Sequence, residues 1–281
     1  MNTFTLGGDL EVRRLGFGAM RITGPGIWGP PGDPDEARAV LLRALELGVN
    51  LIDTADSYGP EVSESLIAEV LHPYPEGLLI ATKGGLRRTG PGEWPRDARP
   101  ERLKECCEGS LRRLKLDRID LYQLHSPDPE VPLEDSLGAL KELQEEGKIR
   151  HIGVSNVSLD ELERARQLVN VVTVQNRFNL EDRHSEYVLD ACSEAGIGFI
   201  PWFPLATGAL ARPGGPLDEL ARAHDATPGQ VALDWLLGRS EVMLPIPGTS
   251  SVAHLEENVA AGELELAEDE LDRIGAAAEA A

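Results

Sequence analysis

The chain has no long apolar run, few cysteines and a shortage of positive charge. Nowhere do ~18 apolar residues follow one another, and the N-terminal MNTFTLGGDLEVRR lacks a basic segment followed by an apolar stretch, so neither a membrane span nor a secretory leader is expected. The three cysteines, Cys106, Cys107 and Cys192, form no CxxC, and the adjacent pair fits disulfide geometry poorly; a reducing, cytoplasmic setting is expected. HExxH and Cys/His zinc spacings are absent, so no metal site is expected, and the absence of GxSxG removes the usual serine nucleophile. With 27 basic against 48 acidic residues the formal net charge is −21, which repels phosphate backbones and anionic membrane surfaces; nucleic acid is not an expected partner. What remains is ordinary for a globular protein: 281 residues, 41% apolar and 27% charged.

Short runs rich in Val, Ile and Leu alternate with segments of helical period. Eight strands are predicted, at 15–20, 50–53, 78–83, 119–125, 149–155, 171–176, 197–202 and 242–247. Helices are predicted at 35–47, 62–71, 100–114, 133–146, 159–168, 184–195, 217–224 with 228–237, and 252–261. Leu133, Leu137, Leu140 and Leu143 make one apolar stripe, with Lys141, Glu142 and Glu145 facing away. Helix starts are signalled at Asp33, Ser158 and Thr227, each followed three residues on by Glu or Gln. Eight parallel strands with helical crossovers close into a (β/α)8 TIM barrel, expected here as a single domain over 1–281. A short N-terminal β-hairpin, turning at Gly7-Gly8-Asp9, is positioned to plug the barrel bottom.

Active groups of such barrels sit at the C-terminal ends of the strands. Those ends carry Asp53 with Tyr58 five residues on, then Lys83, His125, Ser155-Asn156, Gln175, Trp202 and the run Gly248-Thr249-Ser250-Ser251. Each alone has a structural reading as a turn cap, a backbone partner or packing; their convergence on one mouth points to chemistry. A buried Lys⁺ beside a tyrosine stabilises the phenolate and lowers its pKa, Asp53 keeps the lysine charged, and His125 can polarise a carbonyl oxygen. Tyr58 is then a general acid. No side chain supplies an attacking group for carbon, so a cofactor must: a hydride donor needs an amide-binding set and an aromatic platform, which Asn156, Gln175 and Trp202 provide.

The ordered set GFGAM (16–20), NLIDTADSYG (50–59), ATK (81–83), LHSPDP (124–129), HIGVSN (151–156), VQNRFN (174–179), PWFPL (201–205) and IPGTSSVAHLEEN (246–258) resembles the aldo-keto reductase superfamily over nearly the whole chain. The resemblance implies NADP(H) bound without a Rossmann fold and reduction of aldehydes or ketones to alcohols. Consistently, Gly16-Phe17-Gly18 is followed by no third glycine of a GxGxxG. It implies a catalytic tetrad of Asp53, Tyr58, Lys83 and His125, a carboxamide site at Ser155, Asn156 and Gln175, and Trp202 stacked on nicotinamide. The remaining cofactor residues implied are Gly18, Met20, Pro204, Leu205, Gly248, Thr249, Ser250, His254, Glu257 and Asn258, the last group receiving the adenosine phosphate beside a helix N-terminus.

Many relatives carry Lys in place of Gly248 and Arg in place of His254; here Thr249, Ser250, Ser251 and His254 are left to hydrogen-bond the phosphate, so NADPH is the expected cofactor and, with both strong cations missing, NADH a possible one. The short stretch 206–216 predicts no long belt over the cofactor, and the chain's end at Ala281 predicts an open substrate pocket. The loop 84–99 carries four arginines, Arg87, Arg88, Arg96 and Arg99, against Glu93 and Asp97; it reads as a solvated loop, or as a lure for an anion. Trp28 and Trp94 are candidate substrate contacts, and the GPGIWGPP loop at 24–31 is similar to a bacterial subgroup that includes pyridoxal reductases, which would suit an aromatic aldehyde. The expected partner is a small-molecule carbonyl compound, and no pattern specifies an oligomer. Two other readings remain open: a Schiff-base aldolase using Lys83, and a nucleotide-binding regulatory subunit that reports redox state.

Overall fold

The computed structural model describes residues 2–206 and 217–279. Most of the 206–216 stretch, expected to be too short for a belt, lies outside the described residues. The chain begins with the expected hairpin, β1 (Thr3–Leu6) against β2 (Leu10–Arg13), with Gly7 and Gly8 both at positive φ in the turn. Its fully buried Leu6 and Val12 pack with Leu51, Leu79, Leu121, Val172, Ile200 and Leu244, closing the barrel bottom. Asp9 in the turn holds the wall, reaching Arg150 at 2.6 Å and His151 at 2.7 Å.

The main sheet is parallel throughout, with strands in chain order: β3 (Phe17–Gly18), β4 (Leu51–Asp53), β5 (Leu79–Gly84), β6 (Ile119–Leu124), β7 (Ile149–Ser155), β8 (Val171–Gln175) and β9 (Gly198–Phe199). Between and after them run α1 (Pro34–Glu46), α2 (Val62–Leu71), α3 (Pro100–Leu114), α4 (Leu133–Glu145), α5 (Leu159–Leu168), α6 (Glu186–Ala195), α7 (Asp218–Ala223), α8 (Pro228–Arg239), α9 (Val252–Ala260) and α10 (Glu268–Glu279).

Among the described residues seven strands form regular ladders in the main sheet, where the sequence predicts eight. The predicted eighth, 242–247, does close the barrel: Phe199 donates to Val242 O, Leu244 donates to Phe199 O, and Gly16 and Gly18 donate to Pro245 O and Pro247 O. On that last edge Pro245 and Pro247 have no N–H to return, so bonds run one way and the stave is no regular strand. The result is a (β/α)8 barrel. β3 and β9 are also shorter than predicted. A β-carbon at Gly18 would lie 2.6 Å from Ile246 O, so this seam depends on glycine.

Local signals set the helices. Asp33 accepts from the Asp35 and Glu36 amides, while Ser158 with Glu161 and Thr227 with Gln230 form complete capping boxes. The stripe Leu133, Leu137, Leu140 and Leu143 is buried on the sheet, worth about 1.5–3 kcal/mol per side chain. Among the described residues no helix is long and apolar enough to cross a membrane. All three cysteines are buried free thiols.

Candidate active site

Asp53 ends β4, Lys83 lies one residue before the end of β5, His125 follows β6, and Tyr58 sits in the turn before α2. The barrel brings all four together. Lys83 Nζ donates to Asp53 Oδ1 at 2.6 Å, to Thr54 O at 2.8 Å and to Tyr58 Oη at 3.2 Å. The rings of Tyr58 and His125 meet edge to face at 5.9 Å. Lys83 is wholly buried and Tyr58 and His125 are each 7% exposed, so these polar groups interact at low local dielectric. The other Asp53 oxygen accepts from Gln175 Nε2 at 2.9 Å and Gln123 Nε2 at 3.2 Å.

Charge follows from that packing. Burial pulls the Lys83 ammonium down, but the Asp53 carboxylate and Tyr58 outweigh it and leave it above its ordinary range. Burial pushes the Tyr58 phenol up, and the pull of Lys83 does not cancel it; the sequence reading expects a lowering, whereas desolvation of the phenolate dominates. Burial, aided by the Lys83 charge, pushes His125 well below its ordinary range, so it is a neutral imidazole at physiological pH. Ser57 Oγ lies 3.4 Å from its Nδ1. A protonated phenol, a neutral imidazole and a buried ammonium thus share one corner. The same ammonium, held by three acceptors, is a poor nucleophile, which counts against the aldolase reading.

Next to this corner, Ser155 Oγ donates to Gln175 O at 2.7 Å, and Asn156 Nδ2 donates to His125 O at 2.9 Å and Ser155 Oγ at 3.1 Å. Asn156 holds a left-handed backbone, φ 58°, which asparagine tolerates better than most residues. The Trp202 indole N–H donates to Asn156 Oδ1 at 3.1 Å, linking aromatic platform to amide set.

A cavity of about 970 Å³ runs from Tyr58 and His125 to the start of α9. It is lined by Asp53 and by every residue expected to hold the cofactor: Gly18, Met20, Ser155, Asn156, Gln175, Trp202, Pro204, Leu205, Gly248, Thr249, Ser250, His254, Glu257 and Asn258. Trp94 lines it too. Trp28 does not; its ring lies 5.6 Å from the Arg88 guanidinium. Arg21, Ile27, Leu86 and Phe203, which no sequence pattern singled out, also face the cavity. For Arg21 a signal existed: a cation directly after the GFGAM strand.

Two features alter the expected phosphate end. The first amide of α9, Val252 N, donates to Glu36 Oε1 at 2.9 Å, so a carboxylate already takes that helix start. A β-carbon at Gly248 would fall 2.6 Å from Gly18 O, so this backbone leaves no room for a lysine there. The same β-carbon would lie 3.5 Å from Arg21 Cγ, which puts the Arg21 side chain beside the position where the sequence resemblance leads one to expect a cation.

The loop at 84–99 is largely exposed, with Arg87 52% and Arg99 61% exposed, and most of its positive charge is tied locally. Arg87 and Arg99 pair with Asp97 at 3.5 and 2.7 Å, and Arg88 bonds backbone carbonyls.

Asp56, between Asp53 and Tyr58, is 6% exposed, and its Oδ1 has no partner among the described residues. Burial and then Glu64 push its carboxyl up to about 7, against partial relief from Cys106 and Arg113. With an ordinary value of 3.8, its stabilising contribution is complete below about pH 4 and lost as pH rises to about 7, because only the folded state keeps the proton in between. At ~1.4 kcal/mol per pH unit, wild type should lose ~2–4 kcal/mol between pH 4 and 8 that an Asp56→Asn variant does not. Urea denaturation at both pH values checks this; parallel pH profiles would refute it.

A barrel presenting a buried Asp–Lys–Tyr chain and a neutral histidine at one end of a long cavity defines a carbonyl oxidoreductase of the (β/α)8 class. The Aldo/keto reductase family profile matches residues 14–279, and the chain belongs to that family. An uncharacterized oxidoreductase of Schizosaccharomyces pombe is 53% identical over 93% of this chain and 85% of its own. Pyridoxine 4-dehydrogenase of Escherichia coli is 45% identical over 97% of each. Among solved structures, a thermostable aldo-keto reductase crystallised with the inhibitor epalrestat superposes with a TM-score of 0.87 at 34% identity, covering 98% of this chain and 99% of that one. An aldo/keto reductase of Klebsiella pneumoniae in complex with NADP and acetate gives 0.82 at 25% identity, covering 98% and 94%.

Proposed function

We propose that the protein reduces aldehydes or ketones to alcohols with NADPH, and that flat aromatic aldehydes of the pyridoxal type are its preferred substrates. The observation that carries this reading is the Asp53–Lys83–Tyr58 chain at one end of a cavity of about 970 Å³ that reaches the start of α9. NADPH supplies the hydride that the carbonyl carbon accepts. Tyr58 Oη donates the proton to the carbonyl oxygen, and Lys83, held charged by Asp53, stabilises the phenolate left behind. We assign the neutral His125 the tautomer with its proton on Nε2, which leaves Nδ1 to accept from the Ser57 hydroxyl 3.4 Å away and lets Nε2 donate a hydrogen bond to the same oxygen, fixing the substrate's orientation.

The cradle fits the cofactor. Ser155, Asn156 and Gln175 form the amide set for the carboxamide, and Trp202, braced by Asn156, is the ring platform. Gly18 and Gly248 approach too closely for any side chain and open backbone to the ligand. Thr249, Ser250, His254, Glu257 and Asn258 surround the adenosine end, where Arg21 supplies the cation that positions 248 and 254 do not. A relative named pyridoxine 4-dehydrogenase, a neighbour crystallised with NADP and the aromatic Trp94 in the cavity wall support the substrate and cofactor chosen.

The test is oxidation of NADPH and of NADH by purified protein with pyridoxal, nitrobenzaldehyde and methylglyoxal, followed by absorbance. Turnover favouring NADPH and the aromatic aldehydes is expected; binding of nucleotide with no turnover of any carbonyl would overturn the reading in favour of a regulatory subunit. Arg21→Ala should raise KM for NADPH about 5–20-fold and leave KM for NADH within about twofold, the size of one charge-assisted phosphate contact. Equal changes for both would remove Arg21 from the 2′-phosphate.

A further inference from the structure

Arg88 spends every N–H of its guanidinium on backbone. Nε donates to Glu93 O at 2.9 Å, Nη1 to Ile27 O at 2.6 Å and Ser57 O at 3.0 Å, and Nη2 to Gly26 O at 2.9 Å and Gly90 O at 3.3 Å. These carbonyls belong to the three loops that follow β3, β4 and β5, and one of them is the residue before Tyr58. Among the described residues no carboxylate forms an ion pair with this charge. The guanidinium instead lies on the Trp94 ring, 3.7 Å from its centroid. Trp94 in turn meets the Tyr58 ring edge to face at 6.4 Å and lines the cavity.

Resting on the reductase reading above, we propose that Arg88 is a positioning residue for substrate specificity: it fixes Trp94 as a rigid aromatic wall beside Tyr58, so that flat aromatic aldehydes are favoured over small aliphatic ones. The loop carrying Trp94 has no helix; it pairs with itself through the Leu86–Arg96 bridge and a turn closed by Glu93 N to Gly90 O at 3.2 Å and by Thr89 to Glu93, and none of these bonds involves the Trp94 side chain. The tryptophan's orientation therefore depends on the knot at Arg88. A ring held at Tyr58 and His125 gains the face or edge of Trp94, and that gain survives only if the indole is already immobile. A three-carbon carbonyl has no ring to place there and gains little. Lysine cannot substitute, because three rotatable donors on a point charge do not reproduce a planar fork that serves three loops and stacks on an indole.

The experiment compares wild type, Arg88→Met, Arg88→Lys, Trp94→Leu and the Arg88→Met/Trp94→Leu double variant, using nitrobenzaldehyde and methylglyoxal with saturating NADPH. For Arg88→Met, kcat/KM for nitrobenzaldehyde should fall about tenfold further than for methylglyoxal, mostly through KM. Trp94→Leu should show the same selective loss, and the double variant should discriminate no worse than Trp94→Leu alone, because Arg88 acts through Trp94. Arg88→Lys should lie with the Met variant, and it carries the test if the Met variant does not fold. Equal loss for both substrates would reduce Arg88 to a structural residue and overturn the proposal, as would no loss or additive losses in the double variant. Calorimetric binding of pyridoxine in the presence of NADP⁺ gives a readout independent of turnover. If wild type reduces no carbonyl, the reductase reading fails, while pyridoxine binding weakened about tenfold by Arg88→Met still upholds the aromatic wall; unaltered binding, or none to wild type, overturns it.

Discussion

Tyr58→Phe is expected to lower kcat/KM for aldehyde reduction by about 10²–10⁴-fold, the range for losing a positioned general acid. The substitution removes one oxygen from a side chain that is 7% exposed and whose ring contacts, edge to face with His125 and Trp94, a phenylalanine keeps. What goes is the one phenolic proton at the carbonyl end of the cavity and the Lys83 Nζ to Tyr58 Oη bond at 3.2 Å. Lys83 retains Asp53 and Thr54 O, so the ammonium stays satisfied and the fold should hold. NADPH affinity should stay within about twofold, because the amide set and the phosphate end do not involve Oη. Stopped-flow nucleotide binding alongside steady-state assays separates the two effects. Retained activity in Tyr58→Phe would transfer the proton donor to another group, with His125 the nearest candidate.

Lys83→Met should be the most disruptive single change in the barrel, lowering stability by about 3–5 kcal/mol and leaving no measurable turnover. Methionine fills a similar volume, so packing is not the cause. The cause is the carboxylate left behind: Asp53 is 1% exposed and loses the Lys83 cation at 2.6 Å, keeping among the described residues the amide donors of Gln123 and Gln175. Removing one partner of a buried pair costs far more than the pair itself contributes. A Lys83→Met/Asp53→Asn double variant should recover much of the stability and none of the activity, since the Tyr58 phenolate still lacks its counter-charge. Chemical denaturation of the three proteins tests this. A single variant as stable as the wild type would refute the buried-pair account.

Much of the molecule was legible from local pattern. The leucine stripe of α4, the capping boxes at Ser158 and Thr227 and the alternation of apolar runs with helical segments are short-range signals, and the structure follows them closely. The strand-end positions of Asp53, Lys83, His125, Asn156 and Gln175 were legible for the same reason: once a barrel is inferred, each strand's last residues must face one mouth. Departures came where a local pattern met a distant partner. Pro245 and Pro247 turn the eighth strand into a stave that accepts from Gly16 and Gly18 without returning bonds. The Tyr58 phenol, expected to be lowered by Lys83, is raised because burial outweighs that neighbour, and burial belongs to the whole fold.

The chain's own pattern of periodicities, caps and strand-end side chains thus determined a (β/α)8 barrel and the reactive corner of its mouth. The tertiary structure alone decided how the loops around that corner are held. Arg88 reads in sequence as one arginine among four in a polar loop, yet its five acceptors are carbonyls, which every residue possesses and no pattern marks. Glu36 reads as a helix-start residue, yet its carboxylate serves Val252, 216 positions away. Gly248 reads as a lost lysine, yet it is the residue that lets the seam approach Gly18. Side-chain type fixes what a residue can do, but the identity of its partner depends on chain closure.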